Sequence, residues 1–463
     1  MSRVDRSRLP QPGPEPGFVF PAIHRARLAN GLSIAAVERR ALPIVSLALV
    51  LPAGSASDPP HRPGLASLAA DMLDEGAGDR SAVEIQEALA RLGTELDTDV
   101  GPDAVVLSLS LLDRFVPDAL ALLADIVVRP RLDPADLDRV RTLRLNRIRQ
   151  LRDVPGVNAE VVFAREVYGS HPYGHLTIGT SASLAGLDQA DVAGFHRRHY
   201  DPARAMLIAA GAIAQETFAR QVEDAFSGWP ARNEGGSATS MASAVHPPQP
   251  SATEPGRRLV IVDRPGAAQT ELRVGHLGMP RHTPDFHALL LLNAVLGGHF
   301  SSRLNLNLRE RRGFTYGVRS AFDFRKMAGP FSVQTSVQTD ATADAVAEIL
   351  GELRAITRDR PASDDERGLS EATLTKGYPR SFETPGQVAR GVAQMAVYDL
   401  PDDTFAQFCP RIRALTGADL ERVAAQYLHP GRAIVVAVGD CSRIRAGLEG
   451  LGMGDAAVVE AGL

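Results

Sequence analysis

Cysteine is nearly absent: the chain holds two, Cys409 and Cys441, both near its C-terminal end. Two cysteines exclude a disulfide framework, and no Cys-x-x-Cys spacing exists to grip a metal. They read either as small buried apolar groups or as a single late disulfide. Long apolar runs are also missing. Residues Met1 to Pro21 carry three arginines and five prolines, which fits neither a secretory signal nor a membrane anchor. The expected location is therefore the cytoplasm, or the periplasm if a leader has been removed. Charge of one sign is lacking too. A formal charge of -5 gives no basis for a polyanionic partner, so neither nucleic acid nor a membrane surface is expected. A polar substrate or another protein suits that balance better.

What is present is the composition of a soluble globular protein: 44% hydrophobic and 23% charged residues in 463. That length suits two to four domains. Apolar alternation over Leu28 to Val37 is broken by Asn30-Gly31, a hairpin signal. Ile44 to Leu51 has the continuous apolar character of a buried strand. Leu65, Leu68, Met72 and Leu73 share a helical stripe, and Val83 to Leu92 is a second amphipathic helix stopping at Gly93. A strand over Val105 to Leu111, helices over Phe115 to Val128 and Pro134 to Arg152, and a strand at Ala205 to Ala210 complete the first half.

The second half repeats this order. Leu259 to Val262 and Thr270 to Leu277 are strand-like, Phe286 to Leu296 is helical, Phe331 to Thr339 is a strand and Ala341 to Leu353 a helix. Ile434 to Val438 closes the half and is followed by Gly439, as Gly211 follows the first. Residues 233–257, with Gly235-Gly236-Ser237 and Pro247-Pro248-Gln249-Pro250, read as a solvated linker. The expected division is an N-terminal extension (1–24), a first domain (25–232), the linker (233–257) and a second domain (258–463). The expected class is α+β: two homologous halves, each an antiparallel-rich sheet covered by helices.

One segment is more specific than the rest. Gly297-Gly298-His299-Phe300-Ser301-Ser302-Arg303-Leu304 precedes Leu308-Arg309-Glu310-Arg311-Arg312-Gly313-Phe314-Thr315-Tyr316. It resembles the C-terminal half of M16 peptidases, the group of pitrilysin-like and mitochondrial-processing-type enzymes. Asn30-Gly31-Leu32, His171-Pro172-Tyr173-Gly174 and Asp263-Arg264-Pro265-Gly266-Ala267 agree in order, so the resemblance spans roughly residues 25 to 450. It implies a fold forming half of a clam-shell, and a functional pair at Arg309 and Tyr316. A phenol aimed at the oxyanion of amide hydrolysis stabilises charge as it develops. An arginine, permanently cationic, can bind a substrate carbonyl and orient the peptide.

The family's inverted zinc motif, His-x-x-Glu-His, belongs on the helix after Gly-Leu-Ala, where positions i, i+3 and i+4 share a face. Here the text is Gly64-Leu65-Ala66-Ser67-Leu68-Ala69-Ala70-Asp71. The resemblance puts Ser67 and Asp71 at the histidine positions and Ala70 at the glutamate. The third family ligand is a glutamate on a later helix, and aligning Asp153-Val154-Pro155 with the family's Asp-x-Pro puts Arg147 there. A cation at that point repels zinc. The implied function is that of a non-zinc-binding subunit of a heterodimeric metallopeptidase. It holds no cofactor of its own, and pairs with a zinc-bearing subunit to cleave peptides. The alternative is an inert structural or assembly subunit, as in the core proteins of the bc1 complex. A third reading, a solo enzyme using Asp71, Glu75 and His61, lacks a general base. The pairs His171/His175 and His196/His199 read as structural, and the six arginines from Arg139 to Arg152 as a solvated helix face above Val140, Leu143, Ile148 and Leu151.

Overall fold

The computed structural model describes residues 18–231 and 259–462. The expected linker, 233–257, and most of the expected N-terminal extension lie outside them. Two six-stranded sheets dominate the described residues. The first contains β1 (His24–Arg27), β2 (Ser33–Glu38), β3 (Ile44–Leu51), β4 (Asp97–Val100), β5 (Val105–Leu112) and β6 (Met206–Gly211), in the order β1-β2-β6-β3-β5-β4. The second contains β7 (Leu259–Asp263), β8 (Gln269–Leu277), β9 (Val318–Phe322), β10 (Pro330–Gln338), β11 (Ile434–Gly439) and β12 (Ala457–Val459), in the order β9-β10-β8-β11-β7-β12.

Five strands match one for one. β2 lies parallel to β6 as β7 does to β11, and the antiparallel run β6-β3-β5-β4 has its counterpart in β11-β8-β10-β9. The repetition read from the sequence is thus a repetition of topology. Only the sixth strand differs: β1 pairs antiparallel with β2 through the Asn30-Gly31 turn, whereas β12 pairs parallel with β7.

The central strands are apolar on both faces because both faces are covered. One face of the first sheet packs on α1 (Leu65–Asp71) and the helix Val116–Val128, giving a core that includes Leu47, Leu49, Leu68 and Leu120. Its other face, with Ala35, Val37, Ala48, Val50, Ile208 and Ala210, is covered by a helix from the far half of the chain. The second sheet is covered in the reciprocal way. α3 (Pro155–Tyr168), which directly follows α2 (Pro134–Arg152), sets Ala159, Val162 and Phe163 against Val260, Val262, Ile434, Val436 and Val438. The helix on the first sheet is α5 (Pro385–Tyr398), contributing Val388, Ala389, Val392 and Met395. Each half of the sequence therefore owns a sheet and a core on one face of it, and the second face of each sheet is covered by a helix from the other half.

Two sequence expectations change. The helix expected over Phe286 to Leu296 is α-helical only as α4 (Phe286–Asn293), and then widens into a π turn over Ala294–Gly298. On α2, Leu143 is 57% exposed while Arg144 is buried between Val140 and Ile148. The buried stripe runs Leu137, Val140, Arg144, Ile148, spaced by three and four, and Leu143 falls outside it.

Phe163 is almost wholly buried on the second sheet although its helix belongs to the first half. Phe163→Ala should cost about 3–5 kcal/mol in urea unfolding, the usual range for emptying such a site. Because the helix joins the halves, the transition should remain single rather than split in two.

Candidate functional site

The segment where the resemblance expects a zinc motif, Gly64 to Asp71, leads into and forms α1, a short helix fixed at its start by a buried carboxylate. Asp58 accepts from the backbone N–H of Gly64 (2.7 Å) and of Ala66 (2.6 Å). Gly64 has φ +92°, and a Cβ there would sit 2.8 Å from the backbone of Gly179, so only glycine fits. Burial pushes the Asp58 carboxyl up to about 7, against the pull of those two N–H groups and of Arg144. The imidazole of His175 lies 3.8 Å away.

Ser67 and Asp71 sit one turn apart on the face of α1 that meets α2, with Ala70 buried beside them. What approaches them is Arg144. Its Nε donates to Asp71 Oδ2 at 2.6 Å and its Nη2 to Ser67 Oγ at 2.5 Å. Arg147, expected to converge here, is exposed and bonds Gln150 on its own helix. The correction is three residues along one helix. Arg144 rather than Arg147 lies in the stripe that faces α1, a signal present in its spacing from Val140 and Ile148. Close by, the fully buried Tyr200 hydroxyl makes no hydrogen bond, and burial, then the charge of Asp71, raises its phenol. This locus does not fit a zinc ion: a guanidinium occupies the space that the two side chains face.

The solo ligand set is not assembled either. Asp71 is held by Arg144, Glu75 pairs with Arg139, and His61 is exposed. Among the described residues no group of three or more His, Cys, Asp or Glu is placed to hold a metal. His171 Nδ1 accepts from Tyr173 N (3.1 Å), and His196 Nε2 meets Val127 O (2.8 Å). His199 packs on Phe195, and burial lowers it to about 4. Cys409 and Cys441 are not joined in a disulfide, and Cys409 is buried with its Sγ 3.9 Å from Thr375 O.

Arg309 and Tyr316 are brought together. The chain enters the region through the π turn, reverses over 299–302, and forms a second π-helical segment, Asn305–Arg311. Such wide turns are strained and recur at functional sites. Two buried asparagines hold it. Asn305 exchanges hydrogen bonds with the backbone of Val318 (2.8 and 3.1 Å), while Asn307 donates to Glu348 (2.8 Å) and Glu352 (2.9 Å). Arg309 is left on the outer side, with its guanidinium carbon 5.2 Å from the centre of the Tyr316 ring. Tyr316 is 91% exposed, yet its backbone is fixed: the Thr315 hydroxyl donates to Ser336 O (2.7 Å) and accepts from Gly317 N (3.1 Å). Arg303, in the Ser-Arg-Leu stretch, is structural. It makes a two-point pair with Glu366 (2.6 and 2.7 Å) and donates to the carbonyls of Arg360 (2.5 Å) and Pro361 (2.7 Å).

Two sheets of matching topology, each covered by helices, make a two-domain fold of mixed α/β class. Residues 34–179 match the family description "Insulinase (Peptidase family M16)" and residues 186–367 match "Peptidase M16 inactive domain". The chain belongs to peptidase family M16. An uncharacterized zinc protease of Mycobacterium tuberculosis is 27% identical over 376 residues, covering 81% of this chain and 84% of its own. One from Streptomyces coelicolor is 25% identical, covering 88% and 87%. A solved peptidase M16 inactive domain from Pseudomonas fluorescens superposes with TM-score 0.83 at 24% identity, covering 90% of this chain and 98% of that one. A protease from Helicobacter pylori gives 0.81 at 18%, covering 90% and 99%. No helix among the described residues is long and apolar enough to cross a membrane.

Two measurements follow from this geometry. Ser67→His and Asp71→His combined with Arg144→Glu should take up about one zinc per chain by elemental analysis, since two ligands one helical turn apart then meet a third. With Arg147→Glu in place of Arg144→Glu, uptake should not appear. Second, burial alone would raise the Glu366 carboxyl, but Arg303 and Ser363 more than offset it and hold it at about 2. A depressed carboxyl stabilises the fold above its unfolded value, 4.5, and loses that contribution as pH falls through about 2. The melting temperature should drop over that window, and less steeply in Glu366→Gln.

Proposed function

We propose that this chain is the non-zinc subunit of a heterodimeric M16 metallopeptidase, and that it supplies Arg309 and Tyr316 to a peptide-hydrolysing site whose zinc and general base reside on a partner. The observation that carries the reading is the juxtaposition of Arg309 and Tyr316 on an exposed surface, their backbones pinned by Asn305, Asn307 and Thr315. A tyrosine ring 91% exposed is not held there by packing, which speaks against a purely structural survival of the pair. The locus built by Ser67, Asp71 and Arg144 supports the same division, since Ala70 offers no base and the side chains of Ser67 and Asp71 are engaged by Arg144.

In this role Tyr316 donates its phenolic proton in a hydrogen bond to the carbonyl oxygen as negative charge collects on it. Arg309 binds a neighbouring backbone carbonyl and fixes the peptide in register. Both acts need a second surface facing this one, because the two side chains project outward and enclose nothing by themselves.

The test is reconstitution with a similar-length chain carrying an intact His-x-x-Glu-His. Tyr316→Phe and Arg309→Ala should each lower kcat/KM about a hundredfold, the scale for removing one oxyanion donor or orienting cation. Melting temperature should be unchanged for Tyr316→Phe, whose ring is exposed, and only slightly lowered for Arg309→Ala, whose side chain is partly covered. Full activity in both variants would sink the proposal.

A further inference from the structure

The turn between the two π-helical segments carries a large apolar side chain that the fold does not use. Phe300 is 63% exposed and belongs to none of the buried clusters among the described residues. Its neighbours in the turn are fixed. His299 Nδ1 accepts from Ser301 N (3.2 Å), its Nε2 meets Ser370 Oγ (3.2 Å), and Asn305 donates to the carbonyl of His299 (3.2 Å). The ring held out by this frame lies against Arg309, whose guanidinium carbon is 4.1 Å from its centre. Tyr316 stands 5.2 Å from the same carbon. Arg309 is therefore bracketed by two exposed rings, and its guanidinium lies 3.4 Å from the carboxylate of Glu310, its immediate neighbour in sequence.

We infer that Phe300 is a positioning residue: it clamps the Arg309 guanidinium beside Tyr316 so that the two reach the substrate as one preorganised unit. A free arginine samples many rotamers, and each must be given up when it binds a carbonyl. A ring face against the cation removes much of that freedom in advance, through attraction between the positive guanidinium and the ring's negative face. The ring also keeps water from one side of the guanidinium, which strengthens the bonds that Arg309 makes with its other edge. Phe300 touches no reacting atom and acts through Arg309. This inference rests on the peptidase reading above.

The experiment uses the full chain reconstituted with the zinc-bearing partner, and compares Phe300→Leu with Phe300→Tyr. Leucine keeps the bulk but not the ring, so Phe300→Leu should raise KM about fivefold with kcat nearly unchanged, while Phe300→Tyr stays within about twofold of the original. In the isolated chain, the Arg309 side-chain protons should lose the larger, Phe300 part of their ring-current shift in Phe300→Leu and keep it in Phe300→Tyr. Equal effects of leucine and tyrosine, or a normal KM in Phe300→Leu while Arg309→Ala is impaired, would overturn the inference alone. An inactive wild-type pair would overturn the peptidase reading and, with it, the kinetic role given to Phe300.

Discussion

A β-sheet whose two faces are both apolar must be covered twice, and here one chain meets that demand for two sheets by exchanging helices. α3 leaves the first half to lie on β7, β11 and β8, and α5 leaves the second to lie on β2, β6 and β3. The burial involved is of the kind that dominates folding free energy, at roughly 25 cal/mol per Å² of apolar surface. Everything else is placed relative to this exchange. α2 and α3 are consecutive, so the helix carrying Arg144 leads directly into the one that crosses to the other sheet. The turn that carries Phe300 and the segment that carries Arg309 then hang from the second sheet at β9, through Asn305 and Val318.

The two candidate loci show opposite solutions to having a cation near a helix. Arg144 is buried, and its cost is met by Asp71 and Ser67, with one nitrogen left without a partner. A buried guanidinium needs such company because desolvation outweighs a single attraction. Arg309 is partly exposed, with an aromatic ring on either side and the carboxylate of its sequence neighbour Glu310 at 3.4 Å. The first arrangement closes a space, and the second presents a charge. The proposal of a partner subunit rests on this contrast.

Much of the fold was legible because periodicity reports burial directly. The strands at Ile44–Leu51 and Ile434–Gly439 stand out as continuous apolar runs, and the structure supplies the reason: each is covered on both faces. The helix Pro134–Arg152 was bounded by a proline at its start and by the following Asp-x-Pro. Less legible was anything set by a single residue's place on its helix. Leu143 and Arg144 are neighbours in sequence, and choosing which faces inward requires the whole stripe from Leu137 to Ile148. Reading Arg147 as the inward residue follows from an alignment by motif, which fixes position only to within a turn. The π segments were illegible for a related reason, since one extra residue per turn leaves almost no trace in the spacing of Leu304 and Leu308.

By itself the sequence determined the duplication, the class of fold, the absence of histidine and glutamate between Gly64 and Asp71, and the spacing of Arg309 and Tyr316. These depend on local pattern and on residue identity, which a linear string records. Tertiary structure alone decided that the halves exchange helices, that Arg144 fills the space before Ser67 and Asp71, and that Phe300 lies against Arg309. Those are contacts between segments distant in sequence or separated by an irregular turn. Their geometry follows from how the sheets pack, and no periodicity within either segment encodes it.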